Sequence, residues 1–331
     1  RISRVGHPTS AAPRCPGYGT NVMKVLLIVN PRASSVRPRR QLGVHRLLGT
    51  EHTVQMVETT HRGHATQLAA DAAHDGVDVV AVLAGDGTLN EAANALIGST
   101  TALMALPGGS TNVFARTLGL SDNPLKATRT ALSALRAGSI RSIGTGSANG
   151  RHFLFNCGVG WDAVLVRQTE RRSHLKRRLG HLLFVWCGLE TWFRLYDRTR
   201  PHFSVHHEDG RTVDDAYFTV AQNSNPYTYV GHRPFNVSPH LTLVDPLAVT
   251  TLTELRARSF LGLMFATLRS RDALATHPIV DHVAKTNGFT ITAVDPVAYQ
   301  ADGDDLGDAT LIEFRHHPDS LRVVIPEEYP W

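Results

Sequence analysis

AGDGTLNEAANAL, residues 84–96, followed after one short strand by PGGSTNVFARTLGL, residues 107–120, sets two glycine-rich, hydroxyl-bearing turns one behind the other. The run Val77-Asp78-Val79-Val80-Ala81-Val82-Leu83 ahead of the first turn is short, β-branched and apolar, as expected of a parallel strand buried on both faces. Gly85 and Gly87 permit a tight turn and close backbone approach, while Asp86 supplies a carboxylate and Thr88 a hydroxyl where a helix begins. The free N–H groups and positive dipole end of such a helix favour a phosphate oxygen. The second turn repeats the arrangement: strand Thr101–Leu106, then Pro107, Gly108 and Gly109, then Ser110, Thr111 and Asn112 opening a helix. Two such turns at one sheet edge form a crevice suited to a polyphosphate.

Outward from this edge, residues 24–137 alternate short apolar strands with helical stretches, the last helix covering Asp122–Ala137. The pattern predicts a doubly wound α/β domain with a parallel sheet. Beyond Gly138 extended segments dominate, at Arg151–Cys157, His202–His207, Ala216–Gln222, Phe289–Val294 and Thr310–Phe314, so a second, mainly antiparallel β domain is expected. The expected division is a nucleotide-binding domain over 23–138 and 319–331, to which Leu321–Ile325 returns as a strand, and a substrate domain over 139–318.

Residues 1–22 read as a disordered leader, with Met23 as a natural start. This leader carries Arg1, Arg4 and Arg14 and no acid, so the formal charge of +5 falls by three, to +2, for the rest of the chain. Global charge therefore gives no argument for nucleic acid. Cys15, Cys157 and Cys187 form neither a disulfide framework nor a paired metal spacing, which fits a reducing cytoplasm. The apolar run Leu182–Leu189 falls far short of the ~20 residues that span a bilayer.

Several strings in order resemble the lipid kinase superfamily built on the diacylglycerol kinase catalytic domain, which also holds sphingosine kinases and is distantly related to NAD kinases. Besides the two glycine turns they are Asn30-Pro31-Arg32-Ala33 after strand Lys24–Val29, Thr59-Thr60-His61-Arg62-Gly63-His64-Ala65, Asn156-Cys157-Gly158-Val159-Gly160-Trp161-Asp162-Ala163, and Ala301-Asp302-Gly303-Asp304. The resemblance runs from Met23 to the C-terminus. It implies a β-sandwich for the second domain, ATP and Mg²⁺ as cofactors, and a membrane lipid as acceptor, with diacylglycerol converted to phosphatidic acid as the leading reaction. It places Asn30, Thr60, Gly85, Asp86, Gly87, Thr88, Gly108, Gly109 and Thr111 at the nucleotide. Asp86, with Glu91 and Asp304, would order Mg²⁺. Asp302 would face the triphosphate across the gap and take the acceptor proton, with Asp304 holding it or the metal in position.

The sequence departs from the family pattern at three places: Ala84 stands where a glycine is usual, Asp304 where glutamate is usual, and Asp245 alone remains of an acidic pair that supports an accessory magnesium site. Taken by itself, Asp302-Gly303-Asp304 is also a good β-turn. Asn112 reads as a helix cap, and Arg116 either as a phosphate contact or as a helix anchor. Leu175, Leu179, Leu182, Trp186, Leu189 and Phe193 share one helical face, accompanied by Arg171, Arg172, Lys176, Arg177 and Arg178. That helix either packs its stripe on the sandwich or docks on an anionic bilayer, with the protein peripheral on the inner face of the cell membrane. A homodimer is left open. Other readings are a kinase of a sphingosine-like lipid or of NAD, and a nucleotide-binding regulatory protein without turnover.

Overall fold

The computed structural model describes residues 22–172, 181–231, 233–269 and 273–329. Residues 1–21 of the expected leader, and Lys176, Arg177 and Arg178, lie outside the described residues. The first part of the chain alternates β1 (Lys24–Val29), α1 (Pro38–Leu48), β2 (Thr53–Glu58), α2 (His64–His74), β3 (Val79–Ala84), α3 (Asp86–Leu96), β4 (Ala102–Pro107), α4 (Val113–Thr117) and α5 (Pro124–Arg136). The four strands pair in parallel in the order β2-β1-β3-β4. The order reverses between β1 and β3, and in open α/β sheets ligands bind outside the carboxyl ends of the strands at such a point. Every residue of β3 and β4 is buried, which explains their unbroken apolar sequences. At α5, Asn123 caps the Leu125 and Lys126 amides ahead of Pro124, so the helix begins two residues later than its periodicity suggests.

The second part contains β5 (Ile140–Ala148), β6 (Arg151–Phe153), β7 (Asn156–Gly160), α6 (Trp161–Arg171), a helix at His181–Glu190 running into a π turn at Thr191–Leu195, β8 (Phe203–His207), β9 (Thr212–Ala216), β10 (Phe218–Gln222), β11 (Thr228–Val230), β12 (Arg233–Phe235), β13 (Leu247–Leu252), a helix at Ala257–Arg269, β14 (Val280–Thr286), β15 (Gly288–Ala301) and β16 (Asp304–Val324). Its main sheet runs β14-β13-β10-β7-β15-β16, antiparallel throughout. The molecule is thus a parallel-sheet α/β unit joined to antiparallel strands, as the sequence indicates.

Two elements differ from the sequence expectation. The strand expected over Arg151–Cys157 is broken at Leu154 and Phe155, whose amides turn toward the Asp302 carboxylate instead of a neighbouring strand. The segments Thr310–Phe314 and Leu321–Ile325 belong largely to one long strand, β16, which reaches β4 through the parallel pair Val323↔Leu103. Its Ile312 and Phe314 lie in a core with Phe153, Val159, Phe203, Val249, Phe289 and Ile291. Its Leu321 and Val323 lie in the core of the parallel sheet. A single strand therefore carries covalent continuity from one core to the other, starting at the Asp302-Gly303 turn.

Candidate active site

The loops after β1, β2, β3 and β4 all leave the carboxyl edge of the parallel sheet. Asn30, directly after β1, donates from Nδ2 to Thr88 Oγ1 at 2.9 Å, tying the first loop to the first turn of α3. Ser35 donates from Oγ to the Gly109 carbonyl at 3.0 Å and from its backbone N–H to Gly108. Gly108 and Gly109 are required by close packing: a Cβ on Gly109 would stand 2.7 Å from Gly85 Cα, and one on Gly108 2.8 Å from the Ala84 nitrogen. Ala84 is the last residue of β3 and tolerates its methyl in that extended position. Asn112 adopts φ 48° and clamps Gly109 with both ends of its amide, at 2.7 and 3.1 Å. It does not cap α4, as had been expected of it. That task belongs to Asp86, which accepts from the Val113 and Phe114 amides at 3.0 and 3.3 Å.

The N-terminus of α3 itself has no side-chain cap. Its first-turn N–H groups, at Asp86, Gly87 and Thr88, are the donors a phosphate oxygen would use. Ser110 is exposed and Thr111 half-buried, and neither hydroxyl is hydrogen-bonded among the described residues. Thr60 sits on the exposed turn after β2, bonded to His64 through its amide and hydroxyl. Arg116 is an anchor: its guanidinium lies 3.6 Å from the Tyr229 ring centroid and donates to the Gly231 carbonyl.

Facing α3 is the hairpin turn between β15 and β16. Asp302 and Gly303 both have positive φ, 50° and 85°, and Ala301 pairs with Asp304, so Asp-Gly forms the two-residue turn that suits the twist of a hairpin. Asp304 stands against α3, with its Oδ1 3.2 Å from where a Cβ on Gly87 would lie. Arg62 lies 3.4 Å from Asp304 and Arg151 4.0 Å. Glu170 of α6 is a neighbouring carboxylate: burial raises its pKa, and the charge of Asp304 raises it further. Arg62, Arg151 and Glu170 were not singled out by spacing, although Arg62 lies within one of the family-like strings.

Asp302 differs from the expectation that it stands open to the gap. It is 4% exposed, and its carboxylate accepts four hydrogen bonds: from Asn90 Nδ2 at 2.8 Å, and from the amides of Leu154, Phe155 and Asn156 at 2.7, 3.0 and 3.1 Å. Burial pushes its pKa up to about 7, against the pull of those four donors. Asn90 Nδ2 also donates to the His152 carbonyl at 3.0 Å, and its Oδ1 accepts from Arg151 at 2.5 Å. Among the described residues, Asn90 is the side chain through which α3 hydrogen-bonds the Asp302 carboxylate.

The expected metal carboxylates do not converge. Asp86 is turned to α4, and among the described residues no three His, Cys, Asp or Glu side chains form a ligating group. Glu91 is half-buried, with its backbone carbonyl accepting from Thr66 of α2. Asp245 forms an ion pair with Lys285 at 2.5 Å and accepts from Thr242, which outweighs its burial and holds its pKa below the usual value. Arg172 pairs with Glu190 at 2.6 Å, so it is not a free surface cation. Asn223 is buried and bonds to the Gly144 and Leu154 carbonyls.

A helix N-terminus without a side-chain cap thus lies behind a glycine edge, with Asp304 of the β15–β16 turn set against it. Residues 24–148 match the diacylglycerol kinase catalytic domain model. The chain is 30% identical over 310 residues to YegS of Salmonella newport, named as a probable lipid kinase, covering 92% of this chain and 97% of that one. It is 36% identical over 135 residues to a diacylglycerol kinase of Bacillus subtilis, covering 40% of this chain and 43% of that protein. A crystal structure of a diacylglycerol kinase from Bacillus anthracis shares the fold with a TM-score of 0.71 at 24% identity, over 92% of this chain and 98% of that one. The chain belongs to the diacylglycerol kinase family of lipid kinases.

Proposed function

We propose that the protein transfers the γ-phosphate of ATP to the hydroxyl of a membrane lipid, diacylglycerol being the leading acceptor and phosphatidic acid the product. The observation that carries this reading is the uncapped N-terminus of α3, set beside Gly108 and Gly109 and opposite Asp302 and Asp304. The polyphosphate lies against the first-turn amides of α3, with Arg62 and Arg151 offsetting its charge. Asp86 acts indirectly, by holding α4 and so the shape of the glycine edge.

Asp302 takes the proton from the acceptor hydroxyl. A pKa near 7 suits that role, because the base must be ionised before transfer and hold the proton afterwards. The hydroxyl reaches it by displacing the Asn90 amide, which retains the His152 carbonyl as acceptor. Mg²⁺ generally uses one or two carboxylates plus substrate phosphates, and the donor set of Asp304 with its neighbour Glu170 fits this. The ion would neutralise charge on the transferring phosphoryl group.

Docking on an anionic bilayer presents the lipid to this cleft. Trp186 and Phe193 are 65% and 70% exposed, and Leu189 and Leu261 are exposed with them. Arg194 and Arg258 are exposed on the same two helical segments, and Arg171 is exposed at the end of α6. Cys187, Thr191 and Trp192 are the buried face, with Trp192 packed on Phe260 and Trp161. The stripe containing Trp186, Leu189 and Phe193 is thus turned outward.

The saturation of Asp302 by four donors favours one other reading, a nucleotide-binding protein without turnover. ATP consumption with diacylglycerol in mixed micelles, with a sphingosine-like amino alcohol, with NAD and with no acceptor separates the readings. Turnover is expected with diacylglycerol; turnover with NAD alone rejects a lipid acceptor, and binding without turnover supports the regulatory reading.

A further inference from the structure

The string Asn156 to Asp162 is part of the family-like pattern, and its side chains lie behind the hairpin turn. Asp162, in the first turn of α6, is a buried carboxylate, 3% exposed. Its Oδ1 accepts from Tyr227 Oη at 2.5 Å and its Oδ2 from Gln300 Nε2 at 2.7 Å. Gln300, also buried, accepts at Oε1 from the Gly303 amide at 2.8 Å, inside the hairpin turn. The same Nε2 donates to Asn156 Oδ1 at 3.1 Å. Asn156 closes the circuit: its amide donates to Asp302, its carbonyl accepts from the Asp302 amide at 2.8 Å, and its Nδ2 donates to the Tyr227 carbonyl at 3.0 Å.

The glycines of the string make room for this circuit. A Cβ on Gly158 would lie 2.0 Å from Asp162 Oδ2 and 2.9 Å from Gln300 Nε2. Gly160 has φ 87°, and a Cβ there would lie 2.7 Å from Tyr196 Oη. At the other end of α6, Arg167 grips Asp305 at 2.7 and 3.0 Å and Asp308 at 2.7 Å, so the helix is fastened to β16 just past the turn. Burying a carboxylate without a cation is costly, and such groups are retained in a fold when their hydrogen bonds are fully satisfied.

We propose that Asp162 is a positioning residue for phosphoryl transfer: through Gln300 it fixes the amide of Gly303 and thereby the directions of the Asp302 and Asp304 carboxylates. This rests on the reading of the hairpin turn as the acceptor side of the cleft. Asp162 touches neither nucleotide nor lipid. It dictates the orientation of the Gln300 amide, since a carboxylate accepts only, so Nε2 must face α6 and Oε1 must face the turn.

The test is steady-state transfer to diacylglycerol in mixed micelles by Asp162→Asn, by Asp162→Asn combined with Gln300→Glu, and by Asp302→Asn. Asp162→Asn leaves one acceptor oxygen for two donors, Tyr227 Oη and Gln300 Nε2, and so loosens the hold on Gln300; kcat should fall by about tenfold to a hundredfold, as for a catalytic group misplaced by a fraction of its reach, while KM for ATP changes less than about twofold. In the double variant the carboxylate introduced at position 300 accepts from the amide introduced at position 162 and still accepts from Gly303, but gives up the bond donated to Asn156 Oδ1, so part of the lost kcat should return. Tyr227→Phe removes only the outer bond and should lower kcat by about twofold to threefold; it carries the test if Asp162→Asn does not fold. An unchanged kcat in Asp162→Asn and Tyr227→Phe, with Asp302→Asn inactive, overturns the positioning role alone. A loss that the double variant does not recover, matched by an equal rise in KM for ATP, also overturns it. Full activity in Asp302→Asn overturns the reading of the turn on which the proposal rests.

Discussion

At the start of α3 the first-turn amides have no side-chain cap, whereas one turn further along the same helix Asn90 joins three backbone amides in occupying the carboxylate of Asp302. The two regions face each other and treat polar groups in opposite ways. Buried polar groups in a folded protein are almost always satisfied, so a satisfied cluster such as that around Asp302 holds one geometry. The half-buried first turn of α3, which has no side-chain cap from its N-cap residue Gly85, presents the positive end of a helix and is complementary to an anion. One side of the cleft is therefore built for exchange of a ligand and the other for constancy of direction.

The comparison can be broken most severely at the constant side. Asp302→Asn places an amide donor among four donors, so transfer to lipid should fall by about 10²–10⁴-fold. Stability should fall by about 1–3 kcal/mol, read from denaturant unfolding, and ATP affinity by calorimetry should stay near that of the parent. An unchanged transfer rate would remove Asp302 as base. On the exchange side, Gly109→Ala drives a methyl into Gly85 and should weaken ATP binding by about tenfold to a hundredfold, since overpacking costs about 1–3 kcal/mol. Equal ATP affinity in that variant would mean the glycine edge is not at the nucleotide.

The outer helical segments sharpen the same contrast, because they too leave apolar groups without a covering partner. Trp186→Ser with Phe193→Ser should lower binding to anionic vesicles by about tenfold, from the loss of part of about 1.5–3 kcal/mol per buried side chain, while activity in detergent micelles persists. Vesicle binding insensitive to both the substitutions and added salt would assign this face another role. The smallest effect is expected at Asp245→Asn. Magnesium dependence of transfer should not move, and stability should change by about 0.2–1 kcal/mol, as for a partly exposed ion pair. A raised magnesium requirement would restore the accessory site.

Much of the parallel-sheet half is legible in the sequence because β3 and β4 are buried on both faces and read as unbroken apolar runs. The glycine edge is legible because close backbone approach admits no other residue at 108 and 109. The turn at 302–303 satisfies its reading as a hairpin turn, while its carboxylate is aimed into the protein and not openly across the gap. What was not legible depends on contacts distant in sequence. The break at Leu154 and Phe155 lies in an apolar stretch, and only the Asp302 side chain, almost 150 positions away, takes up their amides. The cap supplied by Asp86 to α4, and the pairing of Asp245 with Lys285, likewise have no local signature. Of the apolar stripe read from periodicity, Trp186, Leu189 and Phe193 are exposed together; Leu175 and Leu179 lie outside the described residues, and periodicity states which residues share a face and not which way that face is turned.

The pH dependence of phosphoryl transfer at saturating ATP and lipid tests the role of Asp302 most directly. Only the ionised carboxylate can accept the proton, and burial raises its pKa to about 7, so the rate should climb with unit slope from acid and reach half its plateau near pH 7. The residual rate of Asp302→Asn should lack that inflection. A parent enzyme whose rate is level between about pH 5.5 and about pH 8.5, or a variant that keeps the inflection, would contradict proton transfer to Asp302.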